Sequence, residues 1–286
     1  MFLNCKNRKL HVLNLLCLVF LSSSVSISYA QKKKDEPKTY SDDFSFQWKS
    51  TNDTLTLIAK NKLLTPITIT FQSRKDNTEL QSFVLYPKDS TTLLKYSGKT
   101  PDSIYKGRIK DSLKIGYYWG HKSLIKPNLH YLYRLPFKKG KAYEVTQSFN
   151  GKASHNNIIS KYAIDFQLNV GEKVYAAREG IVVKVIDWFT KQGGEELKHA
   201  ANKIVILHSD GTMATYAHLD YKGSLVKEGQ DIKRGQKIGI SGLTGDTSGP
   251  HLHFVVRKEN DIAIPIYFEG YKGKILKRRK RYKVAN

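Results

Sequence analysis

The sequence predicts an all-β protein, because short apolar runs alternate with turn residues along most of the chain. The 286 residues include 17 tyrosines and 12 phenylalanines, side chains that favour strands. In the first half, turn signals such as Lys75-Asp76-Asn77 separate strand-like runs. These runs are residues 54–57, 67–71, 83–86, 91–96 and 113–119. Their number and spacing predict a small Ig-like β-sandwich over residues 41–121.

A second β-rich region follows a connector at residues 122–141 and covers residues 142–272. Its strand-like runs are residues 174–177, 181–186, 204–207, 213–217, 236–241 and 252–257. The helix candidate in this region is short, around residues 194–201, in a loop between two strands. We therefore expect two β domains joined by the connector.

The beginning of the chain has the composition of an export signal. Residues 1–30 combine a basic start, an apolar run and the small-residue site Ser28-Tyr29-Ala30, which predicts a cleaved secretory signal peptide. A charged linker follows at residues 31–40. Cys5 and Cys17 are the only cysteines, and both lie in the predicted signal peptide. The mature chain is therefore expected to form no disulfide and to offer no thiolate ligand. We expect a monomer exported to the periplasm or cell envelope, or secreted, with no lasting membrane span.

The chain carries a formal net charge of +23, which favours contact with polyanions. Export and the lack of a basic-aromatic recognition motif argue against nucleic acid as the partner. Residues 273–286 contain seven basic residues and no acidic residue, and they are predicted to form a solvated basic tail. Retention on an anionic polymer and the absence of any role are equally open for this tail.

The residues that carry chemistry are histidines and one aspartate in three clusters. His251 and His253 occupy alternate positions of one strand and therefore project from the same face, a natural start for a zinc site. Asp165 lies between apolar neighbours, where a carboxylate is costly unless it is paired or bound to metal. His155 precedes Asp165, and His218 ends another apolar strand. Each cluster alone also has an ordinary structural explanation.

Taken together, these clusters resemble the lysostaphin-type, or LytM-like, zinc metallopeptidases of bacterial cell walls. The resemblance covers about residues 130–260, with the motifs in the family's order. The motifs are His155 with Asp165, the strand 171–180, Tyr216-Ala217-His218, the hairpin 226–236, and His-x-His at 251–253. The resemblance implies a LytM-like β-sheet domain of the duplicated hybrid type at residues 142–272.

The resemblance also implies the roles of five residues. A zinc ion would be held by His155, Asp165 and His253, while His218 and His251 would be catalytic without binding the metal. The implied activity is that of a zinc metalloendopeptidase that cuts peptide crosslinks of peptidoglycan. Many members have three residues between the first histidine and the aspartate, where this chain has nine, so His155 is the least secure ligand.

Two other functions deserve comparison with the enzyme. A catalytically silent LytM-like regulator would activate other wall hydrolases, but the presence of all five site residues argues against it. A biotinyl- or lipoyl-type carrier module would share the glycine-rich hairpin at residues 226–242, but it requires a lysine displayed at a tight turn and leaves the histidines unexplained. Whether the bond cut is a stem-peptide crosslink or a glycine bridge is open at this point.

Overall fold

The structure is a computed structural model that describes residues 43–51, 53–98, 102–197 and 200–284. These residues fall into two compact units, one ending at His121 and the other beginning at Lys122. The predicted signal peptide and linker lie outside the described residues. Within the described ranges, no helix is long and apolar enough to cross a membrane.

The first unit contains two three-stranded antiparallel sheets, with strand orders β1-β2-β5 and β4-β3-β6, and one helix. Its elements are β1 Phe44–Thr51, β2 Thr54–Asn61, β3 Ile67–Ser73, β4 Glu79–Leu85, β5 Ser90–Ser97, α1 Asp102–Ser112 and β6 Leu113–Trp119. Alternate residues of β2, Leu55, Leu57 and Ala59, are buried, as the period of two in its sequence requires. The predicted β architecture is confirmed.

Helix α1 is an element that the sequence did not predict. Its residues are mostly polar, and only Tyr105 and Ile109, one turn apart, are buried. Such a narrow apolar stripe gives little periodic signal in the sequence. The stacked rings of Tyr105 and Tyr96, with centroids 4.0 Å apart, attach the helix to β5.

The second unit is built on an eight-stranded sheet with the order β16-β11-β13-β14-β19-β9-β8-β21, accompanied by a three-stranded sheet β10-β17-β15. The strands are β7 Leu132–Tyr133, β8 Ala142–Gln147, β9 Ile164–Phe166, β10 Lys173–Tyr175, β11 Gly180–Ile186, β12 Gln192–Gly193, β13 Lys203–Leu207, β14 Met213–Ala217, β15 Leu219–Ser224, β16 Asp231–Ile232, β17 Lys237–Ser241, β18 Gly245–Asp246, β19 Leu252–Arg257, β20 Tyr267–Phe268 and β21 Arg281–Lys283. The helix candidate near residue 194 is a single 3₁₀ turn, Glu195–Leu197.

The large sheet brings the candidate residues onto neighbouring strands. His253 on β19 pairs directly with Asp165 on β9 and, on its other side, with Ala217, which precedes His218. Leu252 and Phe254 are fully buried, so alternate residues of β19 face the core while His251 and His253 face the opposite side. One face of the sheet therefore carries the site and the other carries the core.

The segment predicted as a solvated tail, residues 273–286, joins this sheet through β21. Strand β21 pairs antiparallel with β8, and Leu276 and Val284 are buried. The segment is therefore anchored and is not a free tail, because Leu276 and Val284 bury apolar side chains among its charges. The lysine and arginine side chains face solvent while the backbone is held by β8.

Candidate metal centre

Three side chains meet above the junction of β9 and β19. His155, Asp165 and His253 each offer one ligand atom, and these atoms lie within 4.8 Å of one another. His155 Nε2 lies 3.2 Å from Asp165 Oδ2, and His253 Nδ1 lies 2.9 Å from Asp165 Oδ1. Two imidazole nitrogens and a carboxylate form a donor set that suits zinc.

The environment of His155 fits a bound cation. Its ring is fully buried, and Nδ1 lies 3.0 Å from the carbonyl oxygen of Ser148. A carbonyl oxygen can only accept a hydrogen bond, so Nδ1 is the donor. In a neutral imidazole with the proton on Nδ1, Nε2 presents a lone pair towards Asp165. Within the described part of the chain, this buried Nε2 has no hydrogen-bond partner. A metal ion between Nε2 and the carboxylate would satisfy both groups, so the residues fit the ion.

The electrostatics of Asp165 and His253 favour the ligand forms of both groups. Burial alone would raise the pKa of Asp165, but the adjacent His155 and His253 outweigh it and hold this pKa well below its usual range. Burial lowers the pKa of His253, although the adjacent Asp165 acts to raise it. An ionised carboxylate and an imidazole that resists protonation are the forms that bind a metal ion.

Gln147, on β8, is a site residue that the sequence did not reveal. Its Nε2 donates to Asp165 Oδ2 at 3.0 Å and to Ser154 Oγ at 2.7 Å. Its Oε1 accepts from the backbone amides of Ala153 and Ser154, both at 3.1 Å. Gln147 therefore ties Asp165 to the turn that leads into His155, across the nine-residue gap between these two residues.

His218 and His251 lie beside the three ligand groups without joining them. Their ring centroids are 4.6 Å apart, and that of His218 is 6.0 Å from that of His253. Nδ1 of His218 donates to the carbonyl of Thr244 at 2.8 Å, and Nδ1 of His251 donates to the carbonyl of Gly249 at 2.9 Å. With Nδ1 carrying the proton of a neutral imidazole, Nε2 of either ring would be a proton acceptor.

The backbone of His218 has a φ of 62°, in the left-handed region that a non-glycine residue seldom adopts. This conformation lies between β14 and β15 and is compatible with the bond to Thr244. Burial, followed by the nearby His251 and His253, lowers the pKa of His218 to about 3. The ring is consequently neutral near pH 7, and its local strain is of the kind found at functional sites.

The site opens into a groove of about 960 Å³. Its floor includes Asp165, His218, His251 and His253, and its walls come from several loops and from the segment before β21. The wall residues are Thr146, Gln147, Ser148, Phe149, Asn150, Gly151, Lys152, Ala153, Ser154, Glu195, Asp246, Thr247, Ser248 and Arg278. This volume is at the upper end of the range that ligand-binding clefts occupy.

Four further histidines were not assigned to the site; of these, His208 is buried and His130 is exposed. Nδ1 of His208 donates to the carbonyl of Glu179 at 2.7 Å, and burial lowers its pKa to about 4. His121 is half-buried at the end of the first unit, and His199 lies outside the described residues.

The second unit combines a β-sheet domain with three converging side chains that could hold a metal ion. Residues 160–265 match the model of Peptidase family M23, and the LytM-like resemblance is confirmed over this part of the chain. Asp165, His218, His251 and His253 fall inside the match, and His155 lies just before it.

Curated relatives include both enzymes and an activator. The peptidoglycan DD-endopeptidase ShyB of Vibrio cholerae is 38% identical over 124 residues, which are 42% of this chain and 26% of the relative. The murein hydrolase activator NlpD of Escherichia coli is 35% identical over 105 residues, which are 37% of this chain and 25% of the relative. The chain thus spans about a quarter of the length of these relatives.

Two solved structures are similar to parts of the chain. Lysostaphin from Staphylococcus simulans is 31% identical, with 43% of this chain and 47% of that protein covered and a TM-score of 0.34. A zinc containing peptidase from Vibrio cholerae is 24% identical, with 74% and 54% covered and a TM-score of 0.36.

Proposed function

We propose that this protein is a zinc metalloendopeptidase that hydrolyses peptide crosslinks of bacterial peptidoglycan during wall remodelling. The observation that carries the proposal is the convergence of His155, Asp165 and His253 beside an open groove that Asp165 and His253 line. Two further histidines lie beside these groups, and Nε2 of either neutral ring would accept a proton. The match to family M23 and the similarity to a DD-endopeptidase support the choice of substrate.

A zinc ion held by His155, Asp165 and His253 would supply a Lewis acid and would lower the pKa of water towards about 7. His251 Nε2 lies 3.9 Å from Asp165 Oδ1 and is therefore positioned to accept a proton near the ligand groups. His218 lies next to His251, with the two rings tilted by 49°, and can hydrogen-bond to a substrate carbonyl oxygen or pass a proton to the leaving amine.

The proposal is tested by digestion of purified peptidoglycan with the exported chain and with His253→Ala. We expect soluble crosslink fragments from the wild type, whose masses identify the bond that is cut, and none from the variant. Total zinc in both proteins is measured in the same preparations. A wild-type protein that binds zinc and releases no fragment from walls of several crosslink types would contradict the enzymatic proposal.

A wall-hydrolase activator is the second candidate, because NlpD is similar over 105 residues. The complete set of five site residues favours the enzyme. Adding the chain to a purified murein hydrolase separates the two functions, since an activator accelerates that hydrolase even when the activator carries His253→Ala. Periplasmic or cell-envelope location and a monomeric state remain expectations of the same proposal.

A further inference from the structure

The segment before β21 reaches the candidate active-site groove. Arg278 lines the groove, and its Nε donates to the carbonyl oxygen of Thr146 at 2.9 Å. This bond uses one edge of the guanidinium and leaves its terminal amino groups for other acceptors. Thr146 is the residue next to Gln147, so the arginine is attached to the strand that holds the ligand groups in position.

The backbone around Arg278 is held in place. The carbonyl of Leu276 accepts from Ser148 Oγ at 2.5 Å, and the Leu276 side chain is buried. The amide of Arg279 donates to the carbonyl of Val145 at 2.8 Å, and the amide of Val145 donates to the carbonyl of Lys280 at 2.9 Å. Arg278 therefore belongs to a paired, anchored segment, which lowers the entropic cost of using it for binding.

The order of the strands gives the separation between the backbone beside Arg278 and the strand that carries Asp165. Asp165 lies on β9, Gln147 on the adjacent β8, and Arg278 just before β21 on the other side of β8. Two strand spacings correspond to about 10 Å, or about three residues of an extended peptide. A substrate whose scissile bond lies over the metal centre would place a group about three residues away beside Arg278.

We propose that Arg278 forms a carboxylate-binding subsite that selects acidic stem peptides over neutral glycine bridges. The inference rests on the proposed function. A guanidinium pairs with a carboxylate through parallel hydrogen bonds, and stem peptides carry free carboxylates where a glycine bridge has none. Lys152, which lines the same groove, adds a second positive charge. Glu195, in the 3₁₀ turn, and Asp246, on β18, also line the groove.

The test uses two soluble crosslinked stem peptides, one with free carboxylates and one with these carboxylates amidated. Arg278→Ala is expected to lower kcat/KM about tenfold on the acidic peptide, mainly through KM, and to leave the amidated peptide and the zinc content unchanged. Arg278→Lys is expected to retain part of the preference. Arg279→Ala removes an adjacent exposed arginine that does not line the groove, and it should behave as the wild type.

An equal loss on both peptides, or no loss on the acidic one, would overturn the subsite. If the wild type cuts neither peptide, the enzymatic proposal fails, and calorimetric binding of the same peptides to the zinc-loaded protein decides the subsite separately. A roughly tenfold preference for the acidic peptide that disappears in Arg278→Ala supports the subsite. Equal affinities of the wild type for the two peptides exclude it.

Discussion

Gln147 Nε2 donates a hydrogen bond to Asp165 Oδ2 at 3.0 Å, and the two residues are register partners on β8 and β9. The same amide nitrogen donates to Ser154 Oγ, next to His155. One side chain thus orients a candidate ligand directly and restrains the loop that carries another. In a family where the first histidine and the aspartate are often closer in sequence, this contact provides the restraint that the longer loop requires.

Replacing Gln147 with alanine is expected to weaken zinc binding about 10- to 100-fold, because partners of metal ligands contribute affinity of that size. Competition with a chromophoric chelator measures the change. Gln167→Ala, which removes an exposed glutamine just after β9, is the matched control. Equal zinc affinity in the Gln147→Ala variant and the control would show that Gln147 does not position the ligands.

Replacing His218 with alanine is expected to preserve zinc binding and to lower kcat about 100- to 1000-fold. The reason is that His218 is not one of the three ligand residues. It lies next to His251 and donates a hydrogen bond to the carbonyl oxygen of Thr244. Zinc content and single-turnover cleavage of a crosslinked peptide measure the two effects separately. The exposed His130→Ala is the control, and loss of zinc in His218→Ala would contradict the assigned role.

The pH dependence of stability is expected to include a contribution from His208. Burial lowers the folded-state pKa of this histidine from 6.5 to about 4, so the unfolded chain binds its proton first as the pH falls. The stabilisation is complete above pH 6.5 and is lost progressively towards pH 4. Its size is at most roughly 3 kcal/mol.

His208→Asn removes this titration and retains an amide donor for the carbonyl of Glu179. Between pH 7 and pH 4, the variant should therefore lose less free energy of unfolding than the wild type. Urea unfolding of both proteins at a fixed zinc concentration measures the difference. Because both proteins have the same metal site, the pH dependence of that site is common to the two and drops out of the difference. Parallel losses in the two proteins would mean that His208 is not held neutral.

The anchoring of the carboxy-terminal segment predicts a contrast between two neighbouring residues. Leu276 is 2% exposed, whereas Ile275 is 48% exposed. Leu276→Ala is expected to lower the free energy of unfolding by about 2–5 kcal/mol, and Ile275→Ala to change it by less than about 0.5 kcal/mol. Urea midpoints followed by circular dichroism provide the comparison. Similar small effects of both substitutions would indicate a detached tail.

Much of the second unit was predictable because its strands have strong local patterns. The alternation around His251 and His253 specifies which side chains share a face, and β19 has the face that this pattern predicts. Asp165 was visible as a carboxylate inside an apolar strand. These inferences depend on neighbours in sequence, so they required no knowledge of how the strands pair.

The features that escaped prediction depend on contacts between distant segments. Gln147 has no special local pattern, and its role appears only when β8 lies beside β9. Arg278 seemed to be one charge among many, because its position depends on Leu276 and on pairing with a strand more than 100 residues earlier. Helix α1 had too few apolar positions to produce a clear period.

The most direct test of the central claim is a calorimetric titration of the metal-stripped wild-type chain and of Asp165→Asn with zinc. Asparagine keeps the shape of the side chain and removes the charge that His155 and His253 face. We predict about one tight zinc site per wild-type chain and a loss of affinity of at least about 100-fold in the variant. Absence of zinc binding by the wild type, or equal binding by both proteins, would contradict the assignment of the metal centre.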